Sequence, residues 1–202
     1  MNNKKSEWTT VGLVRHAMII AILILMEITN IGYIKTPTGL ELTIMQIPVL
    51  VGAITMGPNS GALFGGVFGL TSLWQAITGK SFFGATLFGI SPFGTIIMCL
   101  VPRILMGYFC GLVFKVLHKK FKKGIVPFAA ASLSGALLNT LFFMAALILI
   151  FGRTDYIMGF RGSMGIIKFV IAFVGVQGLI EAILCFAIGT AISKVIYRYA
   201  KR

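Results

Sequence analysis

Residues 94–117 read GTIIMCLVPRILMGYFCGLVFKVL, and Arg103 and Lys115 are the only charged side chains in the run. A helix of that length rises about 36 Å, which is enough to cross a hydrocarbon core about 30 Å thick. The run gives way to His118-Lys119-Lys120-Phe121-Lys122-Lys123, a basic border of the kind found where a membrane helix leaves the bilayer on its cytoplasmic side. This stretch therefore places the chain in a membrane.

The same signal recurs along the chain. Apolar segments of near-spanning length occur at 13–34, 42–57, 60–78, 125–151 and 166–196, making six with 94–117. Of the 202 residues 57% are apolar and 11% charged, where soluble domains carry about a quarter charged residues. The expectation is an all-α integral membrane protein, one six-helix transmembrane domain over residues 1–202. Gly57-Pro58-Asn59-Ser60-Gly61 punctuates the second and third segments and predicts a tight reversal.

Lys plus Arg number 18 against 5 Asp plus Glu, a net charge of +13. In a soluble protein that excess would raise nucleic acid as a partner, but here it clusters at the borders of apolar runs. Lys4, Lys5 and Arg15, then Lys115, Lys119, Lys120, Lys122 and Lys123, then Lys194, Arg198, Lys201 and Arg202 form three groups. Lys35, Lys80, Arg153, Arg161 and Lys168 are scattered over the other loops. The positive-inside rule then puts both termini and the 118–124 loop in the cytoplasm, with no nucleic-acid role, and suits attraction to anionic lipid. The outer connections fall near 35–41, 79–93 and 152–165, and the apolar run Phe82 to Phe93 is too short to span, so it is expected to fold over the helix ends.

Other classes find no support. Cys99, Cys110 and Cys185 sit inside apolar runs without CxxC or Cys/His spacing and read as small buried hydrophobes. His16 and His118 flank basic residues and form no metal pattern. There is no P-loop, HExxH or GxSxG motif, and neither an internal repeat nor an inverted pair of broken helices. The first segment has the charge order of a signal peptide but lacks a small-residue cleavage site, so it is read as a retained helix.

Ionisable groups inside membrane helices cost at least about 2.5–3.5 kcal/mol each and need a partner or a function. Arg103 lies about 13 Å from the outer end of its helix and carries a permanent charge. Its planar fork suits a ligand carboxylate, or an internal pair with Glu27 or Glu181. Asn139, mid-segment, either contacts ligand or ties two helices together. Gln46, Trp74, Gln75 and Phe93 lie toward the same outer side, Trp74 also fitting an interfacial aromatic belt, and Lys168, just inside the sixth segment, either snorkels to the interface or completes an anion-attracting mouth. The expected substrate-binding set is Gln46, Trp74, Gln75, Phe93, Arg103, Asn139, Lys168 and Glu181, with no catalytic or metal-binding residue. Glycines at four-residue spacing, Gly57, Gly61, Gly65 and Gly69 and again Gly107 and Gly111, offer flat helix faces for close packing within the bundle.

Ala17-Met18-Ile19-Ile20-Ala21, Ile47-Pro48-Val49 followed by Gly57-Pro58-Asn59-Ser60-Gly61, Val101-Pro102-Arg103-Ile104 and Leu137-Leu138-Asn139-Thr140 occur in that order. With these motifs the chain resembles the substrate-binding S component of energy-coupling factor (ECF) vitamin transporters, over nearly its whole length. The resemblance implies a multi-pass subunit of a bacterial cytoplasmic membrane that captures a vitamin outside. It implies docking on a membrane scaffold (T) subunit driven by two cytoplasmic ATPase subunits, and toppling to release cargo inward. ATP is then consumed by the partners, with no cofactor in this chain. Ala17 and Ala21 become the scaffold-docking stripe, with packing inside the bundle as the alternative use of these small residues. The pantothenate branch is the most similar, with folate and riboflavin relatives close. The scarcity of aromatic side chains at the mouth beyond Trp74 and Phe93 points to a small, flexible, non-aromatic anion. An intramembrane enzyme using Glu27 or Glu181 and an autonomous carrier are the competing classes.

Overall fold

The computed structural model describes residues 10–35, 41–121, 124–162 and 164–200. Lys4, Lys5, Lys122, Lys123, Lys201 and Arg202, and positions 36–40 of the first outer connection, lie outside them. In chain order the elements are α1 (Thr10–Ile28), β1 (Tyr33–Lys35), β2 (Glu41–Thr43), α2 (Gln46–Met56), α3 (Pro58–Thr78), α4 (Phe82–Ile90), α5 (Pro92–Lys120), α6 (Val126–Phe151), α7 (Asp155–Arg161), α8 (Ile166–Leu184), a π-helical turn (Cys185–Gly189) and α9 (Thr190–Ala200).

Among the described residues four helices are both long and apolar enough to cross a membrane: Thr10–Ile28, Pro92–Lys120, Val126–Phe151 and Gln177–Tyr199. The first segment differs from expectation. Its helix stops at Ile28 rather than 34, because Asn30 takes a left-handed φ of 55° and Tyr33–Lys35 pairs antiparallel with Glu41–Thr43. Hydropathy cannot register a hairpin built from apolar and polar residues alike. That hairpin also delays the second helix to Gln46, leaving 11 residues that rise about 16 Å. The loop segments at 79–93 and 152–165 contain the short helices α4 and α7.

Contacts fix the directions of the helices. His16 Nε2 lies 2.9 Å from Ser60 Oγ, and Glu27 meets Gln75, so α1 and α3 run parallel. Helices α3 and α5 run antiparallel and meet backbone to backbone. A Cβ on Gly61 would collide with the Gly107 carbonyl, one on Gly65 with the Arg103 carbonyl, and one on Gly69 would come within 2.8 Å of the Cys99 carbonyl. The small-residue ladder thus packs inside the bundle. Gly57 serves differently, facing open space with a φ of 102°, a value that favours glycine, and turning α2 into α3. Gly94 against Phe151 and Gly135 against Cys110 make α5 and α6 antiparallel, and Phe128 against Tyr197 returns α9 along α6. The N-terminus of α1, the α2–α3 turn, the C-terminus of α5 and the C-terminus of α9 consequently share one end of the bundle.

Two cores result. One, built on Leu50, Ile54, Phe64, Phe68, Met106 and Phe128, holds α2, α3, α5 and α6 together. The other, with Phe83, Leu87, Met98, Met144, Leu147 and Phe151, seats α4 and α7 over the opposite end of α5 and α6. The three cysteines are buried and unbridged, as their apolar settings predict.

Candidate functional site

Between the two cores lies a cavity of about 110 Å³. Its wall is drawn from β1 (Tyr33), β2 (Thr43), α3 (Phe68, Ser72, Gln75), α4 (Phe83), α5 (Met98, Cys99, Arg103), α6 (Asn139, Thr140, Phe143) and α8 (Gln177, Glu181). All of these belong to the end of the bundle away from the N-terminus of α1 and the C-terminus of α9.

Arg103 owes its position to its neighbour in sequence. Pro102 has no N–H to give to Met98, four residues earlier, so that carbonyl is left without its helical donor. The Arg103 guanidinium folds back and donates to it through Nη1 at 2.8 Å. The same guanidinium lies 5.4 Å from the Phe68 ring centre and 5.4 Å from that of Phe143, a cation between two faces. Its Nε is buried with no acceptor. Glu181 and Glu27 are occupied by neutral donors instead. Glu181 Oε1 accepts from the Thr43 backbone N–H at 2.8 Å and Oε2 from Gln46 Nε2 at 2.7 Å, and Gln177 also hydrogen-bonds it. Glu27 accepts from Gln75 Nε2 at 3.1 and 2.9 Å through its two oxygens. Arg103 therefore lines the cavity without an ion pair to either acid among the described residues. Asn139 stands close to full burial, at 7% exposure, and its Oδ1 has no donor.

Of the eight expected binding residues, the fold brings Gln75, Arg103, Asn139 and Glu181 to one cavity. Gln46 sits behind the wall, fully buried, and reaches it only through Glu181. Trp74 and Phe93 point away, 57% and 73% exposed, and Lys168 is exposed on α8; none of the three lines the cavity. The physical reason for Trp74 is helical: residues 74 and 76 lie about 200° apart around the axis, so with Gln75 and Ala76 both buried Trp74 falls on the outer side. The scarcity of aromatic side chains expected at the mouth is also corrected, since Tyr33, Phe68, Phe83 and Phe143 contribute rings to the wall. Helical spacing could have found several unanticipated wall residues: Phe143 is one turn beyond Asn139, Gln177 one turn before Glu181, and Phe68, Ser72 and Gln75 share a face of α3. Tyr33 and Thr43 carry no such signal, because a hairpin delivers them.

Ala17 and Ala21 are exposed on α1 and belong to no core. The surrounding α1 surface is equally uncovered, with Val14, Met18, Leu25 and Ile28 each more than half exposed. Packing of this stripe inside the bundle is therefore not what the fold shows.

The family model for the substrate-specific component of ECF transporters matches residues 12–193. The chain is 32% identical over 145 residues to the pantothenate transporter PanT of Leuconostoc mesenteroides subsp. mesenteroides, covering 69% of this chain and 67% of that protein. It is 28% identical over 173 residues to the pantothenic acid transporter PanT of Lactococcus lactis subsp. cremoris, covering 77% of this chain and 83% of that one. With its apolar helices and a match over nearly its entire length, the chain is a multi-pass membrane protein that belongs to the substrate-specific components of ECF transporters.

Proposed function

We propose that the chain captures pantothenate from outside the cell. The observation carrying this reading is Arg103, a permanent cation with an unused buried N–H, set in a cavity beside the unpaired carbonyl oxygen of Asn139. A carboxylate satisfies the first group, and an amide N–H or hydroxyl satisfies the second. Glu181 retains accepting capacity beyond its bonds to Thr43 and Gln46 and faces the same space. A ligand with an acid at one end and donors along its length matches this set, as pantothenate does, and two named pantothenate transporters are among the relatives. The aromatic wall supports a second reading, a folate-like carboxylate with a flat ring. Two of the four rings, however, are already engaged by Arg103, which favours the smaller acid.

In this reading six passes, α1, α2, α3, α5, α6 and the α8–α9 run, alternate across a bacterial cytoplasmic membrane with both termini inside. The N-terminus of α1 and the C-terminus of α9 at one end of the bundle, with Arg15, Lys115, Lys119, Lys120, Lys194 and Arg198 there, support it. The exposed Ala17–Ala21 stripe docks on a membrane scaffold subunit. ATP is hydrolysed by two cytoplasmic partner subunits, this chain itself holding no cofactor.

The test is mass spectrometry of metabolites that copurify with the detergent-solubilised chain, compared with Arg103→Ala and followed by calorimetric titration. Pantothenate is expected on the native chain and absent from the variant. Equal retention by both proteins would remove Arg103 from the site, and recovery of a folate would establish the second reading.

A further inference from the structure

The opposite end of α5 carries a second depression, a groove of about 690 Å³ that the ligand cavity does not explain. Its lining on α5 begins at Gly111, about 12 Å along the helix from Arg103, the rise of eight residues. Ile54, Met56, Pro58 and Phe114 give it an apolar floor, and Lys115 and Lys119, one turn apart and exposed, form a cationic edge. Gly57, with nothing within 4 Å of where its Cβ would stand, keeps the floor open. One wall is aromatic: the rings of Phe114 and His118 stack and Tyr197 meets both edge to face, with centroids 5.1 to 5.2 Å apart.

No carboxylate answers these cations among the described residues. Glu27 and Glu181 are held at the cavity end. Glu41 lies in the hairpin beside that cavity, and Asp155 follows the far end of α6. Arg15, Lys120, Lys194 and Arg198 add to the positive charge at the groove's end of the bundle. Among the described residues the charges at this end are all of one sign, and with the apolar trough between membrane helices they match an anion that carries its own hydrocarbon.

We propose that this groove seats an anionic phospholipid, its phosphate between Lys115 and Lys119 and the start of an acyl chain on Ile54, Met56 and Phe114. The shared chemistry with free phosphate ends at the headgroup. The floor is useful only to a ligand with a chain, which selects the lipid.

Native mass spectrometry of the purified full chain, titrated in turn with phosphatidylglycerol, phosphatidylcholine and inorganic phosphate, tests this. Each lysine near a headgroup contributes about fivefold in affinity, so phosphatidylglycerol is expected to bind the native chain about 25-fold more tightly than the doubly substituted Lys115→Gln/Lys119→Gln chain. A control chain with Lys80→Gln and Arg153→Gln, at the other end, should retain native affinity. A Met56→Glu chain, which adds a negative charge to the floor, should lose phosphatidylglycerol with both lysines present. Phosphatidylcholine bound as tightly as phosphatidylglycerol overturns the proposal and leaves the cations to an acidic protein surface. Displacement of the lipid by millimolar phosphate, or equal losses in the control chain, overturns it too.

Discussion

The Arg103 guanidinium donates at 2.8 Å to the carbonyl of Met98, an acceptor that is vacant because Pro102 has no N–H. The adjacent residues act together: the proline frees the acceptor and the arginine uses it. Gly65 holds the same residue from the other side, its missing side chain letting α3 rest on the Arg103 carbonyl. Arg103, the one cation lining the cavity among the described residues, has backbone and side chain both anchored by neighbours that are themselves electrically neutral. Its charge therefore remains available to an incoming anion.

Restoring the helical donor should loosen that anchor. In Pro102→Ala the new N–H competes for the Met98 carbonyl, and Arg103 loses one charge-assisted hydrogen bond that fixes its direction. Pantothenate affinity, measured by calorimetry, is expected to fall about tenfold, the worth of one such bond. The thermal unfolding temperature in detergent should not fall with it, since a proline is removed from a helix interior. Unchanged affinity would show that the tether is incidental to binding.

Trp74 and Phe143 separate what the sequence suggests from what the fold does. Phe143 faces the Arg103 guanidinium at 5.4 Å, whereas Trp74 is 57% exposed and outside the cavity wall. Phe143→Leu keeps the apolar volume but removes the ring face, which is worth about 0.5–2 kcal/mol to a nearby cation; binding should weaken roughly two- to thirty-fold. Trp74→Ala should leave affinity within about twofold, no contact being lost. The reverse ranking in a titration series would contradict the cavity described above.

How far the sequence reaches depends on what each feature requires. Long apolar runs and basic borders report burial in lipid directly, so the helical class and most of the apolar segments were legible. The glycine ladder was legible too, because four-residue spacing is itself a helix face. Arg103, Asn139 and Glu181 stood out because each is costly in a membrane. Rotation about a helix axis carries no hydropathy signal, however, and that is what turns Gln75 in and Trp74 out. The hairpin that ends α1 at Ile28 and brings Tyr33 and Thr43 to the cavity depends on Asn30 and on pairing with a distant strand. No periodicity within the first segment marks it.

Glu27 and Gln75 form a buried pair joining α1 to the cavity wall, with contacts of 2.9 and 3.1 Å. Gln75→Leu leaves the Glu27 oxygens buried without their donor and is expected to cost about 1–3 kcal/mol of stability. Glu27→Met alone strands the amide in the same way. The double variant Glu27→Met/Gln75→Leu removes both polar groups, and because a matched apolar replacement can be nearly neutral, most of the loss should be recovered. Denaturant titration of the four proteins gives the coupling directly. Additive losses would mean that the two side chains are not partners.

Ala17 and Ala21 make the last and most separable prediction. Both are exposed on α1, one helical turn apart, and α1 is the least covered of the long apolar helices. Both positions are exposed among the described residues, so Ala17→Trp and Ala21→Trp should fold and bind pantothenate with native affinity. If the stripe is the face presented to a scaffold subunit, the added indoles hold the two helices apart by several ångströms and abolish the close approach that small residues allow. Copurification with the scaffold and ATPase subunits, and ATP-dependent uptake into vesicles holding the whole assembly, should then both be lost while ligand capture persists. Loss of capture with assembly intact would assign the stripe to holding the binding fold together. Normal assembly and uptake in both variants would place the docking face elsewhere on the bundle.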